Sequence, residues 1–153
     1  MTLDSPTLDA LLDFAIDAAW QAGRVTLAHF QTGLVAERKA DNTPVTVADR
    51  AAEQLLRQLI TARWPDHALI GEEYGHAAGQ SDSGFTWIID PIDGTKSFVS
   101  GVPIYAVLLA LVKDDAPLLG VMNFPGLNEM VYAARGRGCF GNGRPARVSA
   151  VNS

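Results

Sequence analysis

The sequence lacks the features that mark secreted or membrane-spanning chains. It contains a single cysteine, Cys139, so no disulfide can form within the chain and a reducing compartment is expected. The longest unbroken apolar run, at residues 104–112, has nine residues, whereas a membrane-spanning helix needs about 20. Residues 1–6 have neither the basic patch nor the apolar segment of a signal peptide. The sequence therefore predicts a cytoplasmic protein that does not associate with membranes.

Positive charge is also scarce. The 12 Lys and Arg residues against 17 Asp and Glu residues leave a net charge of −5. This argues against a nucleic-acid binder, because such proteins carry a basic surface. The arginines within residues 135–147 are accordingly interpreted as solvated. With 153 residues, 48% of them hydrophobic, the chain can bury the core of one domain.

The spacing of apolar residues predicts two helices followed by strands. Apolar residues recur every three or four positions over residues 7–31, and again from Thr46, a predicted N-cap with Asp49 three residues later, until Pro65. Small polar residues at 76–84 predict a mobile loop. Two helices followed by hairpin-linked strands predict an α+β fold, with the helices packed on a largely antiparallel sheet. The strands are predicted from continuous apolar runs, typical of strands covered on both faces, at residues 68–70, 87–89, 105–112, 118–122 and 130–134.

Two acidic residues follow one of these predicted strands. Asp90 and Asp93 come directly after it, and Pro91 and Gly94 allow the chain to turn there. The two carboxylates and the carbonyl of Ile92 are expected to face a common point, and such hard oxygen ligands suit Mg²⁺. Taken alone, the same pattern also fits a capped turn without any ligand.

Three further acids are predicted at the ends of elements. Glu72 and Glu73 follow a short strand and a glycine, and Asp49 lies in the first turn of the second helix. Taken separately, Glu72 and Glu73 are explained by an exposed loop, and Asp49 is explained by capping of the helix. Brought together with Asp90 and Asp93 they would repel, since two unit charges about 4 Å apart interact by about 4 kcal/mol at an effective dielectric constant near 20. Such a cluster requires a cation, and a divalent ion such as Mg²⁺ supplies it.

An anion site is predicted beside these acids. Thr95 opens a short helix at residues 95–98, and its first free N–H groups, with that of Gly94, would face a phosphate. Phosphate monoester hydrolysis needs strong electrostatic stabilisation, because its uncatalysed rate is among the slowest known. No conventional nucleophile is evident in the sequence, since Cys139 lies in a glycine-rich turn and the histidines have no partnering motif.

Taken in order, these motifs resemble the inositol monophosphatase family. The resemblance rests on Gly-Glu-Glu at residues 71–73, Trp-Ile-Ile-Asp-Pro-Ile-Asp-Gly-Thr at 87–95 and Pro-Val-Thr-Val-Ala-Asp at 44–49. Lys-Ser-Phe at 96–98 is most similar to the bacterial histidinol-phosphate phosphatase branch. The resemblance implies Mg²⁺-dependent hydrolysis of a small phosphorylated alcohol, either histidinol phosphate or, alternatively, inositol 1-phosphate. Lys39 resembles a family lysine that approaches the site from the loop before the second helix.

The resemblance also implies a set of metal ligands. Glu72, Asp90 and the carbonyl of Ile92 would hold a first Mg²⁺. Asp90 and Asp93 would share a second, and Glu73 would help to hold a weaker third. These ions would lower the pKa of bound water and stabilise the leaving alkoxide.

Catalytic and phosphate-binding roles follow from the same resemblance. Glu72 and Thr95 would orient and activate the attacking water, with Asp49 hydrogen-bonded to Thr95. The phosphate would be bound at Asp93 and by the N–H groups of Gly94 and Thr95. The expected reaction is therefore hydrolysis by metal-activated water, without a covalent intermediate.

The resemblance covers only the N-terminal part of the family. Its members continue for about another hundred residues, and that half carries a Trp-Asp-x-Ala-Ala-Gly motif with no counterpart in this sequence. Residues 1–153 are therefore expected to form an N-terminal metal- and phosphate-binding domain without the C-terminal domain, with weak or no phosphatase activity. A homodimer is expected as well, because the family commonly forms dimers and an uncovered apolar face favours self-association.

Two other interpretations remain open. A haloacid-dehalogenase-type phosphatase has an Asp-x-Asp-Gly-Thr nucleophile motif, but the spacing here is one residue longer and Gly-Glu-Glu has no place in that scheme. Alternatively, the chain is an inactive metal-binding or dimerising fragment. An aspartyl phosphate at Asp90 would favour the first interpretation, and Mg²⁺ binding without turnover would favour the second.

Overall fold

The computed structural model of the chain describes residues 5–40 and 44–151. The prediction about a signal peptide at residues 1–6 falls mostly outside these ranges. Among the helices of the described ranges, none is both long enough and apolar enough to cross a lipid bilayer.

Two long helices form the N-terminal half, as predicted. Helix α1 spans Ser5–His29, and helix α2 spans Val47–Arg63. Thr46 caps α2 with a capping box: its hydroxyl accepts from the Ala48 and Asp49 N–H groups, and its own N–H donates to the Asp49 carboxylate. This cap determines where the carboxylate of Asp49 lies.

Within the described residues, the strands form one eight-stranded sheet and a separate two-stranded sheet of β1 (Glu37–Arg38) and β2 (Pro44–Val45). The strand order of the large sheet is β10-β9-β8-β7-β6-β5-β3-β4. All its neighbours pair antiparallel except β3 and β5, which are parallel, so the predicted α+β class with a largely antiparallel sheet is confirmed. The strands are β3 (Ala68–Gly71), β4 (Gly75–Ala77), β5 (Phe85–Asp93), β6 (Ala106–Lys113), β7 (Ala116–Phe124), β8 (Glu129–Ala134), β9 (Gly138–Gly141) and β10 (Arg144–Pro145).

Helices α1 and α2 cover one face of this sheet. Trp87, Leu109 and Val121 point into the core formed with the helices. The prediction that the strands are covered on both faces is wrong, whereas the expected uncovered apolar face is present: Ile88 and Met122, which alternate with the core residues, are each 42% exposed. The opposite face instead carries an open apolar groove of about 440 Å³. A continuous apolar run predicts a strand, but it does not indicate how many of its faces are buried.

The predicted loop at residues 76–84 is partly a strand. Gly75–Ala77 forms β4, which pairs with β3 through Gly71 opposite Gly75. Residues 72–74 therefore form the tip of a tight hairpin at the sheet edge, and Gly75 has the positive φ of 68° that this turn requires. An edge strand with polar side chains lacks the alternation of apolar and polar residues that usually predicts a strand.

Candidate metal- and phosphate-binding site

The candidate site lies where α2 begins, β3 and β5 end, and a short helix α3 (Thr95–Val99) starts. Because β3 and β5 are parallel neighbours, their carboxyl ends lie side by side at one edge of the sheet. Glu72 and Glu73 directly follow β3, whereas Asp90 and Asp93 lie in the last four residues of β5, which extends beyond the predicted strand at residues 87–89. The fold thus brings together segments from three separate parts of the chain.

Asp49 contacts both the cap of α2 and the start of α3. Its Oδ2 accepts from the N–H and the hydroxyl of Thr46, at 2.8 and 2.6 Å. Its Oδ1 lies 3.3 Å from Oγ1 of Thr95, which is also 3.1 Å from the carbonyl oxygen of Ile92. Burial raises the pKa of Asp49, and the hydrogen bonds from Thr46 and Thr95 oppose that rise.

Thr95 reaches this position because the chain turns sharply at Gly94. Gly94 has φ of 87°, in the left-handed region, and a Cβ at this position would lie 3.2 Å from the carbonyl oxygen of Ile104. Glycine therefore suits this position both in conformation and in space. The first N–H groups of a helix such as α3 have no acceptor within the helix.

Asp90 and Asp93 flank an irregularity in β5. Regular pairing with β6 stops at Asp90 and resumes at Asp93, with Ile92 buried between them. Burial, a hydrogen bond shared with Glu72 and the charges of Glu72 and Asp93 raise the pKa of Asp90 to about 8. Its Oδ1 is buried and has no hydrogen-bond partner.

Glu72 and Glu73 both contact Lys39. Its ammonium nitrogen lies 2.9 Å from Oε1 of Glu73 and 3.4 Å from Oε1 of Glu72. The Glu73 side chain is only 6% exposed, whereas that of Glu72 is 49% exposed. Burial raises the pKa of Glu73, Lys39 opposes this, and the charges of Asp49 and Glu72 add to it. Burial also disfavours the charged form of Lys39, but its contacts with Glu73 and Glu72 outweigh this and raise its pKa.

These residues fit a hard divalent cation. The donor set is made of carboxylate and carbonyl oxygens, which Mg²⁺ prefers, and Asp90 supplies an unpaired buried oxygen. Within residues 5–40 and 44–151, however, no three Asp, Glu, His or Cys side chains converge into a complete ligand set. The ammonium of Lys39 is the cation that the two glutamates contact in this structure.

The histidines are not part of this arrangement in the described residues. His67 stacks on Phe85, with ring centroids 4.5 Å apart, and accepts a hydrogen bond from Nε1 of Trp87. The site also involves Glu53, which none of the sequence motifs includes and whose carboxylate accepts from the N–H groups of Glu73 and Tyr74. Its position on the buried face of α2, four residues after Asp49, was a signal that was available in the sequence.

Comparisons with known proteins agree with these motifs. The family model described as "Inositol monophosphatase family" matches residues 7–153. The histidinol-phosphatase of Chlorobaculum parvum is 51% identical over 142 residues, which cover 92% of this chain and 54% of that protein. The histidinol-phosphatase of Mycobacterium tuberculosis is 43% identical and covers 90% of this chain and 54% of that protein.

Solved structures share the fold. The extragenic suppressor protein suhB from Bartonella henselae has a TM-score of 0.88 at 33% identity, over 93% of this chain and 55% of that chain. The Thermotoga maritima IMPase has a TM-score of 0.86 at 37% identity, over 92% of this chain and 54% of that chain. This chain thus spans about half the length of the relatives it matches. Because the family model matches nearly all of its residues, the chain belongs to the inositol monophosphatase family.

Proposed function

We propose that this chain is the metal- and phosphate-binding part of a Mg²⁺-dependent phosphomonoesterase that acts on histidinol phosphate. Residues 1–153 then correspond to the N-terminal domain of that enzyme. The observation that carries the proposal is the buried Oδ1 of Asp90, which has no hydrogen-bond partner. Glu72 and Asp93 lie near enough to raise the pKa of this carboxyl, so the site concentrates negative charge. A buried carboxylate oxygen that is unpaired among other carboxylates is suited to a cation.

The proposed metal ligands come from two adjacent strand ends. Glu72, Asp90 and the carbonyl of Ile92 would hold a first Mg²⁺, Asp90 and Asp93 a second, and Glu73 would help to hold a third. When bound, Mg²⁺ lowers the pKa of a coordinated water and neutralises charge that develops on the phosphoryl and leaving oxygens.

Thr95, Asp49 and Glu72 would act on the attacking water. The Thr95 hydroxyl donates a hydrogen bond to either Asp49 or the Ile92 carbonyl, both within 3.3 Å. A hydroxyl that donates to a carboxylate becomes a better acceptor, so Oγ1 of Thr95 can accept a hydrogen bond from the water and orient it. Glu72, the more exposed of the two turn glutamates, would accept the proton.

The phosphate would lie beside the start of α3. The N–H groups of Gly94 and Thr95 are the proposed donors, with Asp93 at the edge of the same site. Backbone N–H groups at such a turn bind anions without adding a charged side chain. A lysine or arginine in place of these neutral N–H donors would form ion pairs with the neighbouring carboxylates and would compete with the metal for them.

The choice of histidinol phosphate rests on the relatives. The proteins named histidinol-phosphatase are 51% and 43% identical to this chain, whereas tomato proteins named inositol monophosphatase are 35% identical. The proposed site itself recognises only a phosphate ester, so it supports the reaction class and not the alcohol. A homodimer and a cytoplasmic location stay predictions.

Release of inorganic phosphate from histidinol phosphate and from inositol 1-phosphate, with Mg²⁺ or with EDTA, tests the proposal. We expect weak, Mg²⁺-dependent release that is faster from histidinol phosphate and is lost in Asp90→Asn. Asp115→Asn, in the exposed turn between β6 and β7, is the matched control and should change nothing. Binding of Mn²⁺ to the same samples is measured in parallel. The absence of both phosphate release and Mn²⁺ binding would contradict the proposed function.

A further inference from the structure

Glu53 on α2 is a charged residue with no exposed surface. Its side chain is 0% exposed, and both of its carboxylate oxygens are used. Oε2 accepts from the backbone N–H of Glu73 at 2.7 Å, and Oε1 accepts from the N–H of Tyr74 at 3.1 Å and from Nε of Arg57 at 2.9 Å. The ion pair with Arg57 uses only Oε1. Oε2 is therefore available to accept from the backbone of the turn that carries Glu72 and Glu73.

The same turn is held from its other side by β5. The N–H of Glu72 donates to the carbonyl oxygen of Ile89, at 3.2 Å, and Ile89 directly precedes Asp90. Three successive N–H groups, at residues 72–74, are therefore each paired with a fixed acceptor. One acceptor belongs to the strand that carries Asp90, and the other two belong to the helix that carries Asp49.

Gly71 makes room for this arrangement. A Cβ on Gly71 would lie 1.9 Å from Oε1 of Glu53 and 2.9 Å from Nη2 of Arg57, so any larger residue would displace the ion pair. Arg57 also donates to the carbonyl oxygen of Gly75, at the far end of the same turn. The glycine of the Gly-Glu-Glu motif thus has a packing role that its sequence pattern does not reveal.

We propose that Glu53 is a positioning residue, which orders the turn at residues 72–74 so that Glu72 and Glu73 face the candidate metal site. The inference rests on the proposed function, because the metal is what the ordered glutamates would bind. Residues that hold a metal ligand in place spare it the loss of conformational freedom on binding the metal, and their removal typically costs 10–100-fold in metal affinity.

Glu53→Gln tests this directly. Glutamine keeps the size of the side chain but has one accepting oxygen instead of two, so at least one of the Glu73 and Tyr74 N–H groups loses its acceptor. Gly71→Ala is the second variant, because its new methyl group displaces the Glu53 carboxylate without removing it. Asn123→Ala is the control for general loosening: Asn123 is buried on β7 and donates to the carbonyl of Ala19, away from the site.

Two measurements are made on each variant: hydrogen exchange of the Glu73 and Tyr74 amides by NMR, and Mn²⁺ affinity by calorimetry. We expect Glu53→Gln and Gly71→Ala each to speed exchange at these amides at least about tenfold and to raise the Kd for Mn²⁺ about 10–100-fold. The double variant should be little worse than either single one, because both changes remove the same contact. Asn123→Ala should leave both measurements unchanged.

Three results would overturn the inference. These are unchanged amide exchange in both site variants, faster exchange with the Kd for Mn²⁺ within twofold of the unmodified protein, or the same changes in Asn123→Ala. If the unmodified protein neither binds Mn²⁺ nor releases phosphate, the proposed function fails instead, and the amide exchange rates alone decide whether Glu53 orders the turn.

Discussion

The hydroxyl oxygen of Thr95 lies 3.3 Å from Oδ1 of Asp49, although 46 positions separate the two residues in the sequence. The other oxygen of the same carboxylate closes the capping box of α2 by accepting from Thr46. One buried side chain therefore connects the stability of a helix to the geometry of the candidate site. Substitutions of Asp49 change both properties together, so Thr95 is the better residue with which to test the site alone.

Thr95→Val should reduce phosphate release at least about 100-fold, because it removes the hydroxyl while keeping the shape of the side chain. Thr95→Ser retains the hydroxyl and should keep most of the activity. The measurement is the initial rate with histidinol phosphate at saturating Mg²⁺, with circular dichroism to check the fold. Equal rates in the two variants would show that the hydroxyl has no role in the reaction.

The sequence predicted those parts of the site whose geometry depends on residues close together in the chain. The Thr46–Asp49 capping box follows from a spacing of three residues, and the turn at Gly94 from the preference of glycine for positive φ. Both were predicted because each involves only a few consecutive residues. Helix boundaries were predicted for the same reason.

Long-range packing determined what the sequence patterns missed. Glu53 lies on the buried face of α2, but its backbone partners at residues 73 and 74 become evident only when the turn at residues 72–74 lies against that helix. The exposure of Ile88 and Met122 depends on which elements cover the sheet, and a run of apolar residues carries no such information. The contact of Lys39 with both glutamates spans more than thirty positions, and only the family resemblance indicated that this lysine approaches the site.

The difference between the two sheet faces can be measured by truncating side chains. Leu109 lies in the core beneath the helices, so Leu109→Ala should lower the free energy of unfolding by about 3 kcal/mol. Met122 lies on the open face and is 42% exposed, so Met122→Ala should cost less than about 1 kcal/mol. Urea unfolding of both variants at low protein concentration gives the comparison. A similar loss in both would indicate that the open face is covered in solution.

His67 should make the protein less stable in mild acid. Nδ1 of His67 accepts from Nε1 of Trp87, and the ring stacks between Trp64 and Phe85, so a proton on Nδ1 would break the hydrogen bond. Burial lowers the pKa of His67 to about 4, and Lys113 contributes to this against an opposing effect of Asp66. The unfolded chain therefore binds this proton near pH 6.5 and the folded chain only near pH 4.

The neutral His67 ring contributes to the free energy of unfolding above pH 6.5. This contribution, about 2 kcal/mol, is lost as the pH falls towards 4. His67→Gln keeps a hydrogen-bond acceptor for Trp87 but does not titrate, so its unfolding free energy should fall less steeply over this range. The difference between the two proteins, measured by urea unfolding at several pH values, isolates His67 from the carboxylates. Parallel pH curves would contradict the prediction.

Asp90 should oppose stability in the metal-free protein at high pH. Burial, the hydrogen bond shared with Glu72 and the nearby carboxylates raise its pKa from the ordinary aspartate value of 3.8 to about 8. Between these two pH values the folded protein holds a proton that the unfolded chain releases. The free energy of unfolding therefore decreases as the pH rises from 4 to 8.

Asp90→Asn removes this titration without changing the shape of the side chain. In the presence of EDTA we expect the variant to be more stable than the unmodified protein at pH 8 and nearly equal to it at pH 5. Adding Mg²⁺ should reverse the order at pH 8, because a ligand that binds only the folded state stabilises the protein that binds it. Asp115→Asn, which lies in an exposed turn, should follow the unmodified protein throughout. If Mg²⁺ raises the free energy of unfolding of Asp90→Asn as much as that of the unmodified protein, the Asp90 carboxylate is not a metal ligand, because removing a ligand must weaken this stabilisation.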